Sequence, residues 1–207
     1  MLASKIGPDL LPPAFFPVSL NLVGRKCVVV GPADDREAVE KVEALHEVGA
    51  GVVWIKDHTA LREEDVADAY FVIFTPQEEA PAARLRQLAD RHKFLLCAID
   101  QPKHGFVAMV ATVKAGRSRL TISTGGVAPR VGRKLREALE VALDERFARF
   151  LECFANQRRR ARAKHAGSAE RRAAMIKSAE GFKVEIRLTY PQWFLDELKI
   201  LGPSVID

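Results

Sequence analysis

Two short stretches carry residue types able to move protons and hold anions. In "CAIDQPKHGF" (97 to 106) a single aspartate, Asp100, directly follows an apolar run. A half-desolvated carboxylate there suits general-base work near neutral pH, or a metal ion. An aspartate capping a turn through its own hydrogen bonds is the plainer reading. In "TISTGGVAPRVGRKLRE" (121 to 137), Ser123, Thr124, Gly125 and Gly126 come just before a helix start, and Arg130, Arg133 and Arg136 follow. Such a bend is an anion cradle by geometry, and guanidinium groups are the usual partners of carboxylates. A third stretch, "CVVVGPADDREAVEKVEALHEVGAGVVWI" (27 to 55), opens like a nucleotide-binding unit but has only Gly31 where close approach of a pyrophosphate favours several glycines. Pro32 and Ala33 fill the next places, and Asp34 and Asp35 are good helix N-caps. A capping carboxylate takes the N–H groups that a phosphate would use, so a purely structural turn is the simpler reading of this stretch.

The elements that must position these residues alternate. Residues 18–23 read as a short edge strand, 26–31 as a buried strand, and 35–49 as a helix with Ala38, Val42 and Leu45 on one face and Gly49 as its stop. Strands are expected at 51–55, 70–75 and 94–99, with helices at 62–69 and 78–93 between them. Strands alternating with helices argue for an α/β fold, a doubly wound parallel sheet covered on both faces, over residues 1–112. Beyond it, 119–126 reads as a strand entering a Gly-Gly turn, and 129–164 as a long helical stretch with Pro129 in its first turn. The segment 182–201 alternates like a strand but contains Pro191, and its state is left open.

Composition sets the outer limits. A chain of 207 residues with 48% hydrophobic content can bury one sizeable core plus a smaller unit. Cys27, Cys97 and Cys153 are an odd number and far apart, which argues against a disulfide framework or a zinc site and fits a reducing compartment. The opening residues lack the charged and apolar regions of a leader or a membrane span, so a cytoplasmic protein is expected. The net charge of +5 is placed unevenly, with 11 Lys/Arg against 7 Asp/Glu in residues 151–207. Its centre, "RRRARAKHAGSAERR" (158 to 172), reads as a solvated helical face; nucleic-acid binding is the alternative, disfavoured because no aromatic side chain is interleaved to stack bases.

The stretches "FFPVSLNLVGRKCVVVG", "EKVEALHEVGAGVVWI", "AYFVIFTP", "LLCAIDQP" and "LTISTGGVAPRVGRKLRE" occur in order from about residue 15, and the similarity extends to about residue 175. Together they resemble the precorrin-2 dehydrogenase and sirohydrochlorin ferrochelatase family, which includes the N-terminal module of siroheme synthases. The resemblance implies a Rossmann-like NAD-binding domain (1–112), a small α+β dimerisation region with the Ser-Thr-Gly-Gly turn (113–150) and a helical C-terminal domain (151–207). It implies a homodimer that oxidises precorrin-2 with NAD and then inserts Fe2+, a substrate, into sirohydrochlorin to give siroheme. Matched residue by residue, Asp100 takes the place of the family's catalytic aspartate, which also meets the metal, and Ser123 that of its active-site serine. Thr124, Gly125, Gly126, Arg130, Arg133 and Arg136 become contacts for the carboxylates of the tetrapyrrole. His104 matches no fixed family position, and its nearness to Asp100 in the sequence makes it a candidate proton carrier. NAD would lie over Gly31, Pro32 and Ala33, with Asp57 at the ribose and Thr75 beside the third strand.

The departures from the family pattern fall in the cofactor half. The glycine triplet is reduced to Gly31, and "FTPQEEAP" stands where the family commonly has an "ATDD" stretch. This asymmetry points to a member that inserts metal and oxidises poorly. A non-catalytic tetrapyrrole-binding homologue is a further alternative.

Overall fold

The computed structural model describes residues 15–125 and 127–201. The N-terminal residues used above to argue against a leader, and Gly126, lie outside the described residues. Four strands form a parallel sheet in the order β2-β1-β3-β4: β1 Lys26–Val30, β2 Gly51–Ile55, β3 Phe71–Phe74 and β4 Leu95–Ala98. The connections carry α1 (Arg36–Glu47), a 3-10 turn (His58–Ala60) with α2 (Glu63–Val66), and α3 (Glu79–His92). This is the expected Rossmann-like α/β arrangement.

Strands β1 and β3 are apolar at almost every position because both faces are covered. Along β1, Val28 and Val30 join the core under α2 and α3 with Phe74, Leu85 and Leu96, while Cys27 and Val29 join the core under α1 with Ala38, Leu45 and Ile73. The chain steps from β1 outward to β2 and then returns to β3 on the other side of β1. The sheet therefore has a switch point between β1 and β3, where ligands of such sheets bind outside the carboxyl ends of the strands. Helix α1 stops as expected: Gly49 takes φ 77°, a conformation open to glycine, and its N–H returns to His46 O at 3.0 Å.

Residues 18–23 are not a strand, and both sides of β1, the strand they lead into, are already taken by β2 and β3. They run instead as irregular chain into a turn at Gly24 (φ 68°), with Leu22 buried against the α1 side of the sheet. An antiparallel hairpin follows the sheet, β5 (Ala111–Ala115) with β6 (Ser118–Ile122), closed by Gly116 at φ 57°. Only its second strand was expected. Lys114 on β5 and Arg119 on β6 both pair with Glu47 at the end of α1, which holds the Glu47 carboxyl below the usual range, the Lys114 hydrogen bond first. Helix α4 (Pro129–Ala142) packs on the hairpin.

The helical stretch 129–164 is two helices. Asp144 ends the first and, through Oδ1 accepting from Phe147 N at 3.0 Å, starts α5 (Glu145–Lys164). Helices α6 (Ser168–Ala179) and α7 (Gln192–Leu201) complete the chain, and the alternating residues between them form no strand. The fold divides into two compact units at 148/149, the second of them helical.

Candidate functional site

Four strand exits converge at one cavity. Pro32, Asp35 and Glu37 follow β1; His58 follows β2; Thr75, Pro76, Gln77 and Glu78 follow β3; Ile99 and Asp100 follow β4; together they line about 420 Å³. A second cavity of about 310 Å³ opens on the other side of the β4 exit, lined by Glu37, Cys97, Asp100, Val107 and Met109 among others. Asp100 and Glu37 border both.

Asp100 reaches this place through its backbone. It adopts φ 57°, the left-handed region that Asp and Asn tolerate better than other side-chain-bearing residues. The next residue, Gln101, is buried and fastens the turn: its backbone N–H donates to Ala98 O at 3.2 Å and its Nε2 to Pro76 O at 2.9 Å, tying the exits of β3 and β4 together. Gln101 Oε1 is buried without a partner among the described residues. Sequence reading passed over Gln101; a glutamine between a strand and a proline gives no signal of burial. The Asp100 carboxylate itself is exposed, so the half-desolvated state expected from sequence does not hold in the chain alone. Asp100 lines both cavities, so a ligand seated there would desolvate it.

The residues expected around a dinucleotide do gather near the switch point, but their hydrogen bonds are taken. A Cβ on Gly31 would sit 2.2 Å from Thr75 Oγ1 and 3.0 Å from Ala38 Cβ, so the glycine is required by protein packing. Gly31 N donates to Ile55 O at 3.0 Å, and Gly31 O accepts from Trp54 Nε1 at 2.9 Å. Pro32 has no N–H to offer, and Asp35 N donates to Pro32 O at 3.2 Å. Asp35 caps α1, with Oδ1 accepting from Glu37 N at 2.9 Å, while Oδ2 accepts from the Thr75 hydroxyl. A carboxylate thus occupies the helix N-terminus where a pyrophosphate would need donors and positive potential. Asp57 is turned to Thr59, whose hydroxyl and backbone N–H hold its carboxyl below the usual range. The residues present do not fit a dinucleotide at this turn. Trp54 and His58 were not anticipated; only the register of β2 against β1 reveals that the indole reaches Gly31.

The other expected contacts lie elsewhere on the first unit. Ser123 is exposed, its Oγ accepting from Gly125 N at 3.3 Å, and Gly125 has φ 61°. Arg133 and Arg136 pair along α4 with Glu137 at 2.8 Å and Glu140 at 3.8 Å, while Arg130 is exposed with no ion pair among the described residues. His104 Nε2 meets Glu79 Oε1 at 2.8 Å, as does Lys103 Nζ at 2.8 Å, so the imidazole is directed to α3. Neither cavity at Asp100 includes Ser123, Thr124, Arg130 or His104 in its lining. One chain does not bring the aspartate and the Ser-Thr-Gly bend into a common cavity among the described residues.

Among those residues, no group of three or more His, Cys, Asp and Glu side chains is arranged to hold a metal ion. No helix among them is long and apolar enough to cross a membrane. Asp35, Glu78 and Asp100 make the larger cavity acidic, while the fourth carboxylate of its lining, Glu37, is paired with Lys41 at 2.5 Å. Such a wall attracts cations and accepts protons, and repels the phosphates of a dinucleotide. In the smaller cavity, burial pushes the Cys97 thiol up to about 11, so it is protonated and inert at neutral pH.

No protein-family profile matches the chain. It is 31% identical over 173 residues to the siroheme synthase of Gluconacetobacter diazotrophicus, covering 70% of this chain and 36% of that protein. It is 30% identical over 179 residues to the siroheme synthase of Xylella fastidiosa, covering 77% of this chain and 37% of that one. The chain thus spans little more than a third of the length of these curated relatives. Its fold matches the structure titled SirC, precorrin-2 dehydrogenase, with a TM-score of 0.63 and 17% identity, over 81% of this chain and 90% of that one. With the sheet, its switch point and the Asp100 turn in place, these likenesses, in sequence to siroheme synthases and in fold to a precorrin-2 dehydrogenase, support the resemblance to the precorrin-2 dehydrogenase and siroheme synthase N-terminal module family.

Proposed function

We propose that this chain acts in siroheme biosynthesis on a carboxylate-rich tetrapyrrole, and that metal insertion is the reaction its own residues support best. The observation that carries the reading is Asp100, presented by a left-handed turn at the rim of two cavities where the strand exits converge. Inserting Fe2+ into sirohydrochlorin replaces two pyrrole N–H protons by the metal. A carboxylate over the ring can accept such a proton, and the macrocycle would supply the desolvation that raises its proton affinity. The acidic wall around it would draw the cation in. The Asp35 carboxylate, which accepts from Glu37 N and from the Thr75 hydroxyl at the α1 N-terminus, disfavours NAD in this reading.

Ser123, Thr124, Gly125 and Arg130 are proposed to hold the carboxylates of the ring, with Arg133 and Arg136 released from their helical partners on binding. Since one chain does not place them with Asp100, a homodimer is proposed, with residues 113–150 as the pairing region and the bend of one protomer facing the aspartate of the other. The test follows sirohydrochlorin by absorbance with ferrous or cobaltous ion. Asp100→Asn keeps the left-handed turn and removes the charge. A rate of insertion unchanged by this substitution overturns the assignment of Asp100; a 100-fold or greater loss with pigment binding retained supports it.

A further inference from the structure

The arginine-rich segment is exposed, as expected of a solvated face, and part of it also borders an open cleft. Within the second unit, α5 and α6 bound about 600 Å³ lined by Arg158, Ala161, Arg162, Arg171, Arg172 and Met175. Arg158 and Arg162 stand one turn apart on α5, an arrangement in which like charges repel unless something offsets them. Elsewhere the chain supplies the acid: Arg36 has Glu40, Arg86 has Asp90 and Arg133 has Glu137, each four residues on. Here it does not. Arg158, Arg162 and Arg172 make no ion pair among the described residues, and Glu170, close by in sequence, is directed to His165 Nδ1 at 3.5 Å. Arg171 has a structural task, donating through Nη1 to Ala166 O at 2.9 Å beyond the end of α5.

We propose that this cleft is a binding site for an organic anion bearing several carboxylates. Three guanidinium groups without acidic partners supply forked donors that match carboxylate geometry. Buried Ala161 and half-buried Met175 give the cleft an apolar floor, which suits an anion with a hydrocarbon body over an inorganic ion. The lining holds no aromatic side chain to stack a base, which disfavours nucleic acid. The volume lies in the range of small-molecule sites, about 300–1,000 Å³. The inference stands apart from the Asp100 assignment, since it uses none of the residues at the sheet edge.

Uroporphyrin III, a polycarboxylate macrocycle, is the probe, titrated by absorbance into the full chain, with inorganic pyrophosphate and a single-stranded DNA oligomer as competitors. Arg158→Gln/Arg162→Gln is expected to weaken binding at least about 10-fold. Arg159→Gln/Arg160→Gln removes the same charge from the same helix outside the cleft lining, and is expected to change binding less than about 2-fold. Ser123→Ala/Arg130→Gln separates the two sites by removing groups proposed to hold the ring's carboxylates elsewhere: binding kept in this variant and lost in Arg158→Gln/Arg162→Gln supports the cleft. Circular dichroism of each variant confirms folding, and Arg172→Gln replaces the pair if it unfolds. Equal losses in both arginine pairs, retention in Arg158→Gln/Arg162→Gln, or displacement of the pigment by DNA or pyrophosphate at lower concentration would overturn it.

Discussion

Asp35 shows how one side chain decides what a site can accept. Its two carboxylate oxygens serve the α1 N-terminus and the Thr75 hydroxyl, so the usual anion position is filled from within the chain. Asp35→Ala is expected to lower stability by about 1 kcal/mol through loss of the cap, read as a denaturation midpoint. In the parent protein, titration with NAD followed calorimetrically should show no saturable binding at this turn; saturation abolished by Gly31→Ala alone would contradict the packing role given to Gly31. That substitution should itself destabilise the protein by about 1–3 kcal/mol with no cofactor present, because the added methyl meets Thr75 and Ala38. The cysteines make a second test of environment. With its thiol pushed up to about 11 by burial, Cys97 should resist alkylation at pH 8 while exposed Cys153 reacts within minutes under the same reagent.

The elements owe their positions to burial more than to local preference. Leu85 on α3 is fully buried under the sheet, and Leu85→Ala is expected to cost about 2–5 kcal/mol, measured by chemical denaturation. Ion pairs fasten the helices more weakly. Arg91 and His92 at the end of α3 meet Glu63 on α2, and Lys103 and His104 beyond β4 meet Glu79 at the start of α3. Both carboxyls are held below their ordinary value of 4.5, Glu63 first by His92 and Glu79 first by Lys103. Their contribution is therefore complete above that value and is lost as pH falls through the lower, folded-state values. Thermal midpoints should fall on acidification below pH 4.5, with a shallower fall in Glu63→Gln/Glu79→Gln; both groups are exposed, so the difference should shrink in high salt.

For the molecule as a whole, the proposed function needs a second copy. If Asp100 of one protomer works with the Ser123 bend of the other, two inactive homodimers should complement each other. Mixing Asp100→Asn and Ser123→Ala proteins under exchange should restore about a quarter of the parent rate, since half of randomly paired dimers are hybrids with one intact site. No recovery, with hybrids demonstrated by mass, would place both residues in one protomer's site.

The alternation of apolar runs with amphipathic stretches fixed the parallel sheet from the sequence, because a strand buried on both faces reads as continuous hydrophobicity in Cys27 to Val30 and Phe71 to Phe74. Asp100 and Gly31 were legible as special positions for the same reason, each following such a run. What each residue touches was decided only in three dimensions. Strand order, set by long-range pairing, put Thr75 against Gly31 and Asp35, brought Trp54 over the first turn, and filled both sides of β1 so that residues 18–23 do not pair beside it. Likewise the run of arginines is exposed as its pattern suggested, and only the tertiary structure shows that Arg158, Arg162 and Arg172 line one open cleft.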